Sequence, residues 1–297
     1  MNKIFIAGSL NVDFTIDAAV MPKSGETVPG NNFSSDYGGK GGNCAVAAAK
    51  LGGEAYMIGC AGDDKYGQEI TDNLLKYNVN CDFVRRLPGN TGAAFIVLSN
   101  GENRFIVDGG ANQKLSYTQV KSALSAANEG DIFITSFEIP LDVAYTSLRH
   151  AKSLKMYTIL NPAPAKKMDF AISKQVDLLI VNQKEMNLNT GFADAAKGAE
   201  FLLNAGFEKI IITLGSDGAY YYSKNESEKI PALKVKAADV TGAGDTFVGA
   251  CAVRLAAGIP LIKAARYANK AAAVKTLKRG AYSAIPTAEE VENYGKK

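Results

Sequence analysis

Short apolar runs alternate with stretches of helical spacing along most of this chain. Lys3 to Ala7 reads as a buried strand ending at Gly8-Ser9. From Asp131 onward the alternation is regular: strand Ile132 to Ser136, helix Leu141 to Ser153, strand Met156 to Leu160, strand Leu178 to Val181, helix Ala193 to Asn204, strand Lys209 to Leu214. Strands that alternate with helices call for a parallel sheet covered on both faces, so the expected class is α/β. Ala219 to Tyr222 adds a hairpin strand. The last third is helical, over Ala243 to Ala257, Leu261 to Leu277 and Ala288 to Tyr294.

Two stretches break this pattern. Val12 to Tyr37 carries Thr, Val and Phe in short runs interrupted by Pro22, Gly25, Pro29 and Gly30, with no helical period. Phe83 to Asp108 places the runs Ala94 to Leu98 and Arg104 to Val107 on either side of Asn100-Gly101, a strong hairpin signal. Both read as strands outside the main layer that pair into one small sheet. No repeat, low-complexity tract or linker divides the chain, so one domain is expected over residues 1–297, with insertions at about 12–37 and 84–109.

Composition narrows the function classes. With 47% hydrophobic and 21% charged residues the chain is ordinary globular protein, and a net charge of +3 from scattered basic residues implies neither nucleic acid nor a membrane surface. No apolar run approaches the ~18 residues of a membrane helix, and the run Ile4 to Leu10 leads into Asn11 and Asp13 without a cleavage-like site. Cys44, Cys60, Cys81 and Cys251 are far apart and form no Cys-x-x-Cys pair, which argues for reduced thiols in a cytoplasmic protein. The single histidine, His150, lies in an expected surface helix. Histidine triads and histidine metal sites are thereby excluded.

The candidate chemistry centres on Ala238 to Phe247. Gly242 and Gly244 leave no side chain between the backbone and a ligand at a helix start, where N–H groups and the helix dipole favour an anion. Asp245 beside such an anion hole suits phosphoryl transfer if it faces the attacking hydroxyl and accepts its proton. An ordinary helix start with a first-turn acid has the same composition. A second glycine-rich run, Gly38-Gly39-Lys40-Gly41-Gly42-Asn43, has the wrong spacing for a Walker A loop and suggests backbone wrapped closely around a small polar ligand. No Gly-x-Gly-x-x-Gly follows the first strand, which disfavours a nicotinamide-dependent oxidoreductase.

Five segments together resemble the ordered motifs of the ribokinase (PfkB-type) family of sugar kinases: 8–13, 38–43, 110–116, 161–165 and 239–247. The resemblance implies a ribokinase-like three-layer α/β/α sandwich with a mainly parallel central sheet and a small β-sheet lid. It implies an ATP-dependent kinase using Mg2+, with the 5-hydroxyl of D-ribose as the expected acceptor. Deoxyribose, fructose or a purine riboside are the alternatives, and a non-catalytic sugar-binding relative is the alternative from another class.

Position by position, Asn11, Asp13, Gly39, Lys40, Asn43 and Glu138 match sugar-binding positions; Asp245 matches the catalytic base, with Gly242, Ala243 and Gly244 as the anion hole. Asn182 and Glu185 match an Asn-x-x-Glu element associated with Mg2+ and phosphates, and Thr213, Gly215, Gly218, Gly244 and Asn269 match nucleotide-side positions. The family also implies a homodimer through the lid. It further implies a K+ ion beside the anion hole, held by Asp239, Thr241 and carbonyls near Lys275, Lys278 and Gly280. The chain departs from the family at Gly42 and Cys44, where Ala and Gln are usual, at Gln183-Lys184, which replaces a more acidic pair, and at Ala284, where a Ser is expected.

Overall fold

Along β1 (Ile4–Ala7), Ile4 and Ile6 are buried in one apolar layer and Phe5 and Ala7 in another. A strand buried on both faces is the signature of a parallel sheet between two helical layers. The computed structural model, which describes residues 1–99 and 102–296, shows that arrangement. The chain continues through β2 (Asn11–Ala18), β3 (Gly30–Gly38), α1 (Lys40–Lys50), β4 (Ala55–Gly62), α2 (Lys65–Lys76), β5 (Asn80–Leu87), β6 (Gly92–Ser99) and β7 (Glu102–Asp108). There follow α3 (Tyr117–Ala123), β8 (Ile132–Ser136), α4 (Leu141–Ser153), β9 (Tyr157–Asn161), β10 (Leu178–Asn182), α5 (Gln183–Thr190) and α6 (Ala195–Asn204). The last elements are β11 (Lys209–Thr213), β12 (Ala219–Ser223), β13 (Ser227–Ile230), α7 (Ala243–Ala256), α8 (Leu261–Lys275) and α9 (Ala288–Asn293).

Among the described residues, the main sheet has nine strands in the order β13-β12-β11-β10-β9-β8-β1-β4-β5, parallel except for β12 and β13 at one edge. A separate sheet has the order β3-β2-β6-β7. The α/β sandwich with a small sheet is therefore as expected, with one correction. The second insertion, expected at about 84–109, begins later, because residues 84–87 end β5, which pairs with β4 in the main sheet. The small sheet takes only β6 and β7 from that region. Its expected Asn100-Gly101 turn lies outside the described residues.

Two further differences concern the helices. The structure starts α1 at Lys40, inside the glycine-rich run, with Gly39 at φ 83° as the residue before it. Between Asn182 and Ala193 it adds α5, whose buried apolar residue is Met186 alone. So short and polar a helix has no hydrophobic period to announce it. Its signal is the capping box in which the Asn182 side chain accepts from Glu185 N–H and the Glu185 carboxylate accepts from Asn182 N–H. Among the described residues, no helix is long and apolar enough to cross a membrane. Cys44, Cys60 and Cys251 are buried free thiols, and Cys81 is a half-buried one.

Candidate active site

Helices α1 and α7 pack backbone against backbone. A Cβ on Gly249 would lie 2.7 Å from the Cys44 carbonyl oxygen and 2.8 Å from the Ala47 methyl, so small residues on both helices set their spacing. That approach carries Asn43 to Asp245 in the first turn of α7: Asn43 Nδ2 donates to Asp245 Oδ2 at 2.8 Å. Lys40 Nζ stands 3.8 Å from Asp245 Oδ1. One carboxylate oxygen is thus held by an amide and the other faces a cation. Gly242, at φ 70°, makes the turn that a side chain would strain, and the Thr246 hydroxyl donates back to its carbonyl.

The glycine-rich run does less ligand wrapping than its sequence suggests. Only Gly39 and Lys40 of residues 38–42 line the large cavity in front of Asp245. Gly38 leaves room for the Asp13 carboxylate, 2.2 Å from where a Cβ would sit; Gly41 meets the backbone of Gly8; Gly42 meets the Tyr282 hydroxyl. These glycines are needed because the protein packs against them.

That cavity, of about 750 Å³, brings together Asn11, Asp13, Asn43, Glu138 and Asp245, residues that the family resemblance puts on the sugar side. Asp13 points into it because the side chains of β2 alternate: Asp13 pairs in register with Ala94 of β6, which also lines the cavity, while Phe14 pairs with Phe95 on the opposite face. Glu138 Oε2 is a hub that accepts from the Ser9 hydroxyl, from Lys40 N–H at 3.0 Å and from the Asn11 amide at 3.5 Å. Asn112, not foreseen as a site residue although it lies in the 110–116 motif, brackets Leu10 with both halves of its amide and donates to Asn11 Oδ1 at 2.8 Å. It fixes which way Asn11 presents its amide. Burial, together with the Glu138, Asp36 and Asp245 carboxylates, pushes the Asp13 carboxyl up to about 8, and Lys40 opposes the shift.

A second cavity, of about 380 Å³, brings together Thr213, Gly215, Gly218 and Asn269, the expected nucleotide-side residues. Its wall is more apolar, with Ala243, Phe247 and Ala272. Thr213 Oγ1 donates to the Val181 carbonyl at 3.4 Å and the Asn269 amide to the Pro231 carbonyl at 2.8 Å. Val240 and Gly244 line both cavities. Asn182 lines the first, joined by Lys184 of the Gln183-Lys184 pair that departs from the family pattern. Glu185 is buried behind Asn182, with its two oxygens accepting from Asn182 N–H and Nδ2.

The expected K+ site does not fit the residues present. Asp239, Thr241, Lys275 and Gly280 do converge, but the Asp239 carboxylate already accepts from Thr241 N–H at 2.9 Å and Gly280 N–H at 3.1 Å. The Lys275 ammonium itself donates to the Asp239 carbonyl oxygen. The Lys278 ammonium is engaged by Glu290 at 2.6 Å and brings no second side-chain cation to this turn. Ala284 is buried and offers no hydroxyl.

A polar cavity and a more apolar one that share a glycine in the first turn of a helix, with a carboxylate one residue further on, describe a phosphotransferase acting on a small hydroxylated substrate. Sequence comparison makes the class specific: the pfkB family carbohydrate kinase pattern matches residues 1–288, and the chain belongs to that family. It is a kinase that transfers a phosphoryl group to a sugar hydroxyl. The chain is 37% identical to a ribokinase of Schizosaccharomyces pombe, over 98% of this chain and 97% of the relative. It superimposes on a Thermotoga maritima ribokinase structure with a TM-score of 0.90, at 34% identity and with all of both chains covered. A structure of Arabidopsis thaliana ribokinase complexed with ribose and ATP gives a TM-score of 0.87 at 27% identity, covering 98% of each chain.

Proposed function

We propose that this protein is an ATP-dependent ribokinase that phosphorylates the 5-hydroxyl of D-ribose. The observation that carries the reading is the position of Gly244, which lines both cavities one residue before Asp245. A hydroxyl in the first cavity and a γ-phosphate arriving from the second meet there. Similarity to ribokinases over nearly the whole chain favours ribose among the sugars this pocket could take.

In this reading the sugar sits between Asn11, Asp13, Lys40 and Glu138, where several polar groups satisfy its hydroxyls and reject analogues that leave one unpaired. Asp245, held by Asn43, accepts the proton of the attacking hydroxyl. The hydroxyl oxygen bonds to the γ-phosphorus as the bond from that phosphorus to the β,γ-bridging oxygen breaks, and ADP leaves. First-turn N–H groups of α7 and the helix dipole stabilise the transferring charge. Asn182 and Glu185, the capping box at the edge of the first cavity, would be the groups of the chain nearest the Mg2+ that accompanies ATP, and that ion would offset negative charge on the phosphates.

The small sheet closes the sugar cavity: Ala94, Ile96, Phe105 and Val107 all line it. Water exclusion matters because water is the competing acceptor. On its other face Phe14, Phe33 and Phe95 stack, and Phe33, Phe95 and Ile106 are exposed. An aromatic face of that kind is covered in this reading by the same sheet of a second copy.

The test is a coupled ADP-release assay with MgATP across ribose, deoxyribose, fructose, other pentoses and hexoses, and purine ribosides. Ribose is expected to give the highest kcat/KM. A tenfold preference for another acceptor would reassign the sugar, and no ADP release with any of them would remove the enzyme.

A further inference from the structure

Lys275 is the last residue of α8, where a long cationic side chain ordinarily reaches solvent, yet it is 0% exposed. Its ammonium donates to the Asp239 carbonyl oxygen at 3.4 Å. That carbonyl opens the turn that leads through Thr241 into Gly242, where α7 begins. Neighbouring bonds serve the same turn. The Thr276 carbonyl accepts from the N–H groups of Ala238 and Asp239, and the Asp239 carboxylate ties Thr241 to Gly280. A buried ammonium persists only where negative charge and carbonyl dipoles replace its water. Asp239, Asp245 and Asp36 supply that charge, against the downward pull of burial on the Lys275 pKa.

We propose that Lys275 is the built-in monovalent cation of this kinase: its ammonium holds the 239–242 turn in the place expected for K+, so that turnover requires no added monovalent ion. The proposal rests on the kinase reading above. An ion beside this turn would contribute one positive charge to the carbonyl oxygens and hold the first-turn amides of α7 in their direction. A tethered ammonium does both and is not lost to solution. A metal ion brought beside it would meet a like charge, and a carboxylate already bonded to two N–H groups. Lys275 lines neither cavity, so it is a positioning residue.

The experiment measures ADP release at saturating sugar and MgATP, at constant ionic strength, in K+, Na+ and tetramethylammonium, for the wild type and Lys275→Met. Melting temperatures are recorded in the same salts without substrate. The wild type is expected to turn over at rates within about threefold in all three salts and to melt at one temperature, since an ion that does not bind the folded state does not stabilise it. Lys275→Met is expected to be at least about tenfold slower in tetramethylammonium, and to regain turnover and melting temperature when K+ fills the emptied site. A wild-type preference for K+ beyond threefold overturns the proposal, as does a folded Lys275→Met with wild-type turnover in tetramethylammonium. If Lys275→Met does not fold, the wild-type rates and melting decide. Failure of the kinase reading is distinct: no ADP is released with any sugar in any salt, while the melting comparison still reports on the ion.

Discussion

The Tyr282 hydroxyl fills the space that a methyl group on Gly42 would need. A Cβ at Gly42 would lie 1.7 Å from the hydroxyl oxygen and 2.7 Å from Cζ, and the hydroxyl is fixed by donating to the Gly38 carbonyl at 2.9 Å. An alanine at this position is therefore incompatible with this tyrosine. Gly42→Ala is expected to destabilise the protein by about 1–3 kcal/mol through overpacking, and by less when Tyr282→Leu has already made room. Thermal denaturation of the two single variants and the double variant measures the coupling; strictly additive losses would dissolve the pair.

Asp245→Asn keeps the shape of the side chain that Asn43 holds, but removes the carboxylate proposed to accept the proton. Turnover is expected to fall roughly 10²- to 10⁴-fold, with sugar affinity within about tenfold and the melting temperature little changed. Steady-state kinetics with direct binding measurements separate these. Turnover near the wild-type rate would remove Asp245 from the chemistry.

Asp13 is expected to make the sugar step depend on pH. With its carboxyl pushed up to about 8 in the free protein, the Asp13 anion, which in the proposed reading accepts two sugar hydroxyls, forms only as pH rises through that value. Accordingly kcat/KM for the sugar is expected to climb to a plateau above about pH 8. The raised value also has a stability consequence. Between its ordinary 3.8 and about 8 the folded state binds a proton that the unfolded chain does not. The contribution is therefore full at low pH and lost as pH rises through about 8. Asp13→Asn, which cannot ionise, is expected to flatten the kinetic profile and to gain melting temperature relative to the wild type as pH rises from about 6 to 9. A melting difference independent of pH would refute the assignment.

Gly242 and Gly244 are expected to fail in different ways. A Cβ on Gly244 meets no heavy atom within 4 Å, so Gly244→Ala folds normally while its methyl enters the space between the two cavities. Turnover is expected to drop by about tenfold or more. Gly242 has φ 70°, so Gly242→Ala costs about 1 kcal/mol of stability as well. Calorimetry beside kinetics distinguishes the two, and equal melting losses would contradict it.

Ile106 pairs in register with Phe95 on the outer face of the small sheet. If that face joins two copies, Ile106→Glu is expected to convert a dimer at micromolar concentration into a monomer, read by sedimentation. A wild type that sediments only as a monomer would end that expectation.

Several features of this architecture are legible in the residue order. Helix α4 runs over Leu141–Ser153, as its spacing predicts. The buried strands show as uninterrupted apolar runs because both faces are covered. Asp245 could be placed in the first turn of a helix because Gly242 and the apolar run after it mark a helix start. Other features left no such trace. Val84 suits an edge strand of either sheet, and nothing local says that its partner is Gly59 of β4. The polar helix α5 has a capping box in place of a period.

What the sequence determined by itself is local: the alternation of strands and helices, the turn at Gly242 and the helix that follows it, and the small residues that let α1 and α7 approach. Each depends on neighbours a few positions apart. Only the tertiary structure decided which distant groups share a site. Asn43 meets Asp245 across 202 positions and Tyr282 meets Gly38 across 244. The reach of Lys275 to Asp239 spans 36 positions. Such contacts follow from chain closure and from how volumes fit: whether a glycine faces a ligand or a tyrosine, and whether a cation site holds an ion or an ammonium, is decided by what the rest of the fold brings to that space.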